Sequence, residues 1–263
     1  MRRLIPTLLI IALTASLCAC GNRAPESTEP PTLPPTQTQV TDPPVETDPP
    51  APEHSELYLP DVSTEQMIEY FCEVVLDMEY AEGTGDATLV QKWEEPIRYQ
   101  IYGAPTTQDL EILENLFAQL NDVPGFPGIA PASEGEYGNL TISFMSEGDF
   151  RLAFSDLLRG EIADGAVQFW YYNNTNDIYS GRIGYRTDIS QQTRNSVLVE
   201  EIVNLLGFND TTLREDSIVY QYSSDITELS PIDWVLVKLL YDPAIECGMN
   251  ADQCKAVIEQ LYY

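Results

Sequence analysis

The sequence has very little histidine and little positive charge. Its single histidine, His54, falls in a predicted linker, so the predicted folded domain has none. This excludes Ser-His-Asp and Cys-His catalysis and any histidine-ligated zinc or copper site. Only 13 Lys and Arg residues face 42 Asp and Glu, which gives a formal net charge of −29. We therefore expect no nucleic-acid binding, because no cationic surface is available to replace the counterions of phosphates.

Cysteine is also scarce, with five residues in the chain. Cys18 and Cys20 lie in the N-terminal targeting segment, which leaves Cys72, Cys247 and Cys254, an odd number for a disulfide framework. Cys247 and Cys254 could close a small loop in an oxidising compartment. The alternative is three separate thiols. The spacing matches no zinc finger.

The N-terminus has the pattern of an exported protein. Residues 1–19 combine a basic start with an apolar run, Leu4–Leu17, that is too short to span a membrane stably. The sequence Leu-Cys-Ala-Cys ending at Cys20 resembles a bacterial lipobox, with Ala19 before the lipidated cysteine. We expect a lipoprotein anchored through Cys20 on the extracytoplasmic face of the cell membrane. The alternative is an ordinary secretory signal, which also places the mature protein outside the cytoplasm.

A tether and one folded domain are predicted to follow the signal. Residues 20–60 are dominated by Pro, Thr and acids, a composition that cannot form a core and favours extended, disordered chain. Residues 61–263 are long enough for one domain with a substantial core. The sequence therefore predicts a signal peptide, a disordered tether and a single domain.

Apolar periodicity and capping residues predict the elements of this domain. The predicted helices are 63–80, 108–120 (capped by Thr107), a central helix between Ser190 and Gly207, 231–241, and a last helix from Asn250 to Leu261. The predicted strands are 97–102, 140–145, 166–172 and 178–185. Residues 149–158 are predicted as a short helix or loop. This order of elements indicates a mixed α+β domain.

The central helix carries a narrow polar stripe opposite its apolar face. Glu200, Glu201 and Asn204 fall within about 100° of one another on a helical projection. One interpretation is that they form the solvated side of the helix. The other is that they line a functional cleft.

The register of the stripe resembles the active-site motif of metzincin zinc peptidases, H-E-x-x-H-x-x-G-x-x-H/D. Here the pattern is E-E-x-x-N-x-x-G-x-x-D, formed by Glu200, Glu201, Asn204, Gly207 and Asp210. The resemblance puts Glu201 at the general-base position and Asp210 at the third-ligand position. Glu200 and Asn204 replace the two helix histidines.

The elements around the helix also resemble a metzincin. Ser217–Tyr220 follows where a Met-turn would lie, with Val219 in place of Met, and the helix 231–241 resembles the C-terminal helix. In this comparison the strand 166–172 is the antiparallel edge strand that lines the cleft. The resemblance implies a mostly parallel sheet, a central active-site-type helix and C-terminal helices.

Four segments are similar to a family of bacterial exported domains of unknown function. They are KWEEPIRYQIYG (92–103), VEEIVNLLGFND (199–210), DSIVY (216–220) and LLYDP (239–243). Asn204 stands where that family usually has Gln. The resemblance implies a zincin-like fold with an altered metal site, and it carries no established activity.

Our first functional hypothesis is a non-catalytic binding or structural module. A cleft with an exposed edge strand can bind an extended peptide by strand addition, and a cell-wall ligand is the other partner considered. Besides Glu200, Glu201, Asn204 and Asp210, aromatic side chains of the edge strand are candidate binding residues. The two candidates on this strand are Trp170 and Tyr172.

The alternative is a hydrolase with Glu201 as general base. Glu200, Asn204 and Asp210 could hold Ca²⁺ through oxygen atoms, whereas zinc is not expected without histidine. A metal-free glycosidase would pair Glu201 with Asp210 or Asp216 as acid and base. The first hypothesis expects no cofactor and no metal.

Overall fold

A six-stranded sheet forms the centre of the computed structural model, which describes residues 54–76, 89–158, 163–223 and 225–263. The strands are β1 (Lys92–Trp93), β2 (Ile97–Gly103), β3 (Ile129–Pro131), β4 (Leu140–Met145), β5 (Gly165–Tyr171) and β6 (Asp177–Arg186). All four predicted strands are present within one residue of their expected ends. The short strands β1 and β3 were not predicted.

The strands pair mostly in parallel. Hydrogen bonds connect them in the order β1-β6-β4-β2-β3, and each of these pairs is parallel. The remaining strand, β5, runs antiparallel to β6. Among the described residues β5 pairs with no second strand. The predicted α+β fold with a mostly parallel sheet and an antiparallel strand is therefore confirmed.

Seven helices surround the sheet in the described part of the chain. They are α1 (Thr64–Leu76), α2 (Thr107–Asn121), α3 (Glu147–Ala153), α4 (Ser155–Leu158), α5 (Gln191–Leu205), α6 (Pro231–Tyr241) and α7 (Ala251–Leu261). The predicted caps Ser190, Ser230 and Asn250 each accept a backbone hydrogen bond from the third helical residue. The cap of α2 is Thr106 and not Thr107, because Asp109 completes a capping box with Thr106.

The two faces of the sheet are covered differently. On one face α5 lies against β5 and β6, where Val197 approaches Gly165 and Leu205 approaches Gly181. On the other face the short helices contribute Phe154, which packs against Gly184 of β6. The central helix therefore lies against the side of the sheet that carries the antiparallel strand.

The end of the predicted tether packs against the domain. The backbone N–H of Ser55 donates to the carbonyl of Tyr263 at 2.8 Å, and that of Leu59 donates to the Tyr262 hydroxyl at 3.0 Å. Leu57, Tyr58 and Leu59 contact the core. Residues 55–59, at the end of the predicted tether, therefore contact the folded domain while staying partly exposed.

Several predicted features lie outside the described residues. These are the signal peptide 1–19, the lipidation site Cys20, most of the tether 20–60, the end of the first predicted helix and the loop 81–86. Within the described residues no helix combines the length and apolarity needed to span a membrane.

Candidate functional site

The central helix ends in a chain reversal that only glycine permits. Gly207 has φ +110°, a conformation that other residues rarely adopt. A Cβ at this position would lie 2.1 Å from the Gln91 carbonyl oxygen, well inside contact distance. The reversal turns the chain back beside the helix, so Asp210 returns toward the last turns of α5.

The segment after the reversal is fixed to α1. Asn209 donates to the Val74 carbonyl through its backbone N–H at 2.7 Å and its side chain at 3.1 Å. The buried Glu73 carboxylate accepts a 2.8 Å hydrogen bond from the Thr211 hydroxyl. Asp210 lies between these two anchored residues, so its position relative to α5 is held by contacts on both sides.

Three carboxylates gather here, and we call Glu200, Glu201 and Asp210 the acid cluster. Burial raises the pKa of Glu200 to about 8, and the Asp210 carboxylate adds to the shift. Burial raises the pKa of Glu201 well above its ordinary value, with further contributions from Glu200 and Asp210. The predicted grouping of these residues with Asn204 is therefore present, and its members interact electrostatically.

Asp210 is the solvent-facing member of the acid cluster. It is exposed, yet partial desolvation still raises its pKa, and a hydrogen bond from the Asn204 side chain opposes the shift. Water therefore reaches the Asp210 carboxylate more easily than it reaches those of Glu200 and Glu201. The Oδ1 atom of Asn204 is buried and has no hydrogen-bond partner within the described residues.

Glu201 is the most enclosed member of the acid cluster. Its exposure is 8%, and in the described part of the chain its carboxylate has no hydrogen-bond partner. The side chain lies between α5 and the start of β5: a Cβ built on Gly165 would lie 2.6 Å from Glu201 Oε1. Glycine at 165 is therefore what leaves space for this carboxylate. A buried carboxyl without a partner favours its neutral, protonated form.

Zinc, which a metzincin-like motif implies, does not fit the donors at this site. The residues in ligand register supply two carboxylates and one carboxamide, Glu200, Asp210 and Asn204, and no imidazole. Across residues 54–76, 89–158, 163–223 and 225–263, no three His, Cys, Asp or Glu side chains are placed to hold a metal ion together. Raised carboxyl pKa values also oppose cation binding, because the protons must first be released.

The predicted aromatic binding residues do not adjoin the acid cluster. Side chains alternate along β5, and Gly165 faces α5. Trp170 is five residues from Gly165, so its side chain points to the other face of the sheet. There it lies across from Ser180, and the Arg182 guanidinium is 5.8 Å from its ring centre. Arg182 also stacks on Phe154 on that same face. Trp170 and Glu201 therefore lie on opposite faces of the sheet.

Tyr172 belongs to an aromatic surface at the end of the β5–β6 hairpin. Its ring stacks on Tyr179 with centroids 4.4 Å apart. Trp170, Tyr172 and Tyr179 are each about 40–50% exposed. The sequence predicted exposed aromatics on this strand, but it did not predict which face of the sheet they occupy.

The loop at the Met-turn position is tied to α6. Asp233, in the first turn of that helix, accepts a 2.6 Å hydrogen bond from the Ser217 hydroxyl and one from the backbone N–H of Ile218. The same carboxylate completes the capping box with Ser230. The DSIVY segment thus has a structural partner in α6, and Val219 is fully buried.

Asp216, one of the two acids considered as a glycosidase partner of Glu201, is already paired. Its carboxylate accepts two hydrogen bonds from Arg214, at 2.8 and 2.7 Å. This Arg214 contact lowers the pKa of Asp216. An ion-paired carboxylate of low pKa is a poor general acid, so Asp210 is the better partner in that alternative.

The sequence model of one protein family matches residues 64–260, and its description is "Protein of unknown function (DUF2927)". The chain belongs to this family. The predicted membership of a family of unknown function is confirmed. No curated protein matches the sequence.

The Lys-Trp pair at the start of the DUF2927 sheet stabilises the ends of two helices. The indole N–H of Trp93 donates to the Leu205 carbonyl at 2.9 Å, at the C-terminus of α5. Lys92, which is 5% exposed, donates to the Leu240 carbonyl at 3.1 Å, at the C-terminus of α6. Helix C-termini carry partial negative charge and unpaired carbonyls, so both contacts are favourable.

A buried ion pair joins the starts of α2 and α5 in the DUF2927 domain, and sequence reasoning missed it. Arg194 Nε donates to Asp109 Oδ1 at 2.9 Å, and both side chains are at most 5% exposed. Gln191 donates to the same oxygen at 2.7 Å. The capping role of Asp109, which was not predicted either, does not identify a partner on another helix.

The three remaining thiols of the DUF2927 domain are free in the structure. Cys247 donates weak hydrogen bonds of 3.6 Å to the Lys92 carbonyl and to Glu94. Cys254 is buried where α7 packs on α1, and the Cys72 thiol is among the groups that influence its pKa. The predicted Cys247–Cys254 disulfide stays a prediction for the oxidised protein.

Proposed function

We propose that this chain is a lipid-anchored extracytoplasmic protein whose zincin-like domain binds a ligand without catalysing hydrolysis. The anchor is Cys20 and the tether is the Pro/Thr-rich segment. The proposed extracytoplasmic location is supported by the signal-peptide and lipobox pattern of residues 1–20.

The arrangement of elements supports the zincin-like assignment. A helix carrying the E-E-x-x-N motif lies against a mostly parallel sheet next to its antiparallel strand. The helix ends at a glycine reversal, and Asp210 returns to it. The Ser217–Tyr220 loop and α6 follow in the order of a metzincin.

The enclosure of Glu201 carries the non-catalytic part of the proposal. A general base must be ionised and must reach a water or a substrate proton. Glu201 is 8% exposed, packs against the Gly165 backbone, and has a strongly raised pKa. The raised pKa favours the protonated, neutral form of Glu201, which lacks the negative charge that a general base requires.

We assign an extended peptide as the ligand. The second edge of β5 pairs with no strand in the described residues, so its backbone groups are available for strand addition. A peptide beside the start of β5 would pass close to Glu201 of the acid cluster, which lies against Gly165. Because a cation favours ionised carboxylates, a Lys or Arg of the peptide would displace protons from Glu200 and Asp210.

The test is a fluorescence-anisotropy titration with a labelled Val-Lys repeat peptide at physiological salt. A matched peptide with N-methyl groups at alternate backbone nitrogens keeps the charge but cannot pair with a strand edge. We expect only the unmethylated peptide to bind, and its affinity to increase with pH as protons leave the acid cluster.

Two variants of the domain distinguish peptide binding at the acid cluster from non-specific attraction to the negative charge of the protein. Glu200→Gln should weaken binding several-fold, whereas Glu111→Gln, at an exposed position on α2, should leave it unchanged. Equal binding of both peptides, or equal loss in both variants, would show non-specific attraction to an acidic protein and refute strand addition.

The second candidate function is a hydrolase, and one observation favours it. Glu200 has a pKa of about 8 beside two other carboxyl groups, and perturbed carboxyls occur often at catalytic sites. In this case Glu201 and Asp210 would act as an acid–base pair, or Glu200, Asn204 and Asp210 would hold Ca²⁺. Calcium titration by calorimetry, with Asp210→Asn as the control variant, tests the metal form of this candidate.

A turnover assay tests the hydrolase candidate whether or not a metal ion takes part. The domain is incubated with a casein substrate and with cell-wall fragments, and product release is compared between wild type and Glu201→Gln. Product release that disappears in Glu201→Gln while the variant stays folded would establish the hydrolase. Equal product levels in both proteins would remove Glu201 from any reaction.

A further inference from the structure

A groove of about 590 Å³ lies on the side of α5 away from Glu201. It runs between α2 and the loop that precedes α6, and none of its lining residues belongs to the acid cluster. On α5 it is lined by Asn195 and Val199, and Val199 lies about 200° around the helix from Glu201. The groove is therefore a separate surface from the proposed peptide site.

The floor of the groove is apolar and includes one tryptophan. Leu116 and Val199 are buried at its base, and Ile112 and Trp234 are partly buried. Among the described residues the Trp234 indole N–H has no hydrogen-bond acceptor, whereas the Trp93 indole is paired with a helix terminus. Trp234 thus contributes an aromatic surface and an indole N–H to the lining of the groove.

The rim of the groove is rich in hydrogen-bonding groups, and no Lys or Arg lines it among the described residues. Carboxamides line it from two helices, and Thr227 adds a hydroxyl. The carboxamides are Gln108, Asn115, Gln119 and Asn195. The one ionisable lining residue is Glu228. A carboxamide both donates and accepts, so it matches a ligand that also does both.

We propose that this groove binds a neutral saccharide that carries hydroxyl and acetamido groups. A strongly negative chain with no cation in the groove disfavours anionic ligands. Carboxamides complement sugar hydroxyls and acetamido groups, and the apolar C–H face of a pyranose ring can stack on the indole of Trp234. A volume of this size is within the range of small-molecule sites. The proposal does not depend on the peptide site or on catalysis.

The test is calorimetry with triacetylchitotriose as the probe on the full extracytoplasmic chain. We expect saturable binding, at least about fivefold weaker in Trp234→Ala because the stacking surface is lost. Trp170→Ala is the matched control, since Trp170 is also partly exposed but lies on the β5–β6 hairpin; its affinity should be unchanged. Isomaltotriose, which has hydroxyls but no acetamido groups, should bind more weakly.

A second variant protects the test against unfolding. Asn115→Ala and Gln119→Ala together change only exposed side chains of α2, so the fold should remain intact by circular dichroism while affinity falls. No heat of binding up to millimolar triacetylchitotriose would overturn the proposal. Loss of binding in Trp170→Ala but not in Trp234→Ala would also overturn it, by placing the sugar on the hairpin.

Discussion

Glu200→Gln should stabilise the domain at neutral and alkaline pH, although it removes a native side chain. The folded Glu200 has a pKa of about 8 and the unfolded side chain one of 4.5. Between these values the folded state holds a proton that the unfolded state has lost, so the free energy of unfolding falls as pH rises through this window. Gln has nearly the same shape and no ionisable proton, so the free energy of unfolding of the variant does not fall with pH for this reason.

The size of the effect follows from the pKa shift. At pH 7 the proton is retained about 2.5 pH units above the ordinary pKa, which corresponds to an upper value of about 3 kcal/mol. Glu200 is half-buried, and solvent screening reduces the value to about 1–2 kcal/mol. For a domain of this size that is an increase in Tm of roughly 3–6 °C. Because Glu201 is coupled to Glu200, part of the gain comes from a lower pKa of Glu201.

The assay is urea unfolding of wild type and Glu200→Gln at about pH 5 and about pH 8.5, followed by tryptophan fluorescence. The difference in unfolding free energy should be small at the lower pH and largest at the higher pH. Glu111→Gln controls for removal of one negative charge from an acidic protein. A stabilisation that is equal at both pH values, or equal in the Glu111 control, would refute a buried, protonated Glu200.

Three further substitutions test the packing that positions the site, each by urea or thermal unfolding. Gly207→Ala should destabilise by about 2–4 kcal/mol, because it combines a strained φ with a clash against Gln91; a loss under about 1 kcal/mol would contradict the reversal geometry. Trp93→Phe should cost about 1–3 kcal/mol by leaving a helix carbonyl unpaired, and an unchanged midpoint would mean that water replaces the indole. Gly165→Ala should destabilise by about 1–3 kcal/mol in wild type but by less in Glu201→Ala; additive effects would show that the two residues do not touch.

The elements of this fold were predictable where the signals are local. Ser190 and Ser230 were recognised as caps, because a cap and its third helical residue are neighbours in sequence. β3 was missed because its three residues, Ile129–Pro131, lie in a Pro- and Gly-rich loop and become a strand only by pairing with Ile97–Tyr99 of β2. Long-range hydrogen bonds of this kind leave no periodic pattern in so short a segment.

The candidate site was predictable in register but not in environment. Glu200 and Asn204 share one face of the helix because they are four residues apart, which is close to one turn. Asp210 joins them because Gly207 reverses the chain. The enclosure of Glu201 depends on which face of the sheet α5 covers, and so does its separation from Trp170. Neither local pattern contains that information.

Buried polar contacts between distant segments were the hardest features to predict. Lys92 and Trp93 form a two-residue strand that the sequence did not predict, and their side-chain donors stabilise the ends of two helices far along the chain. Asp109 completes the capping box of α2 and also accepts a hydrogen bond from Arg194 in a buried ion pair, and the sequence indicated neither role. Each residue type was visible in the sequence, whereas its partner is defined only by the tertiary fold.

The central claim is that the E-E-x-x-N-x-x-G-x-x-D motif forms a metal-free, non-catalytic site. The most direct measurement is elemental analysis of the purified domain combined with a peptide-cleavage assay before and after chelation. We predict less than stoichiometric transition metal and no cleavage under either condition. One equivalent of bound metal, with cleavage that chelation abolishes and metal restores, would contradict the account.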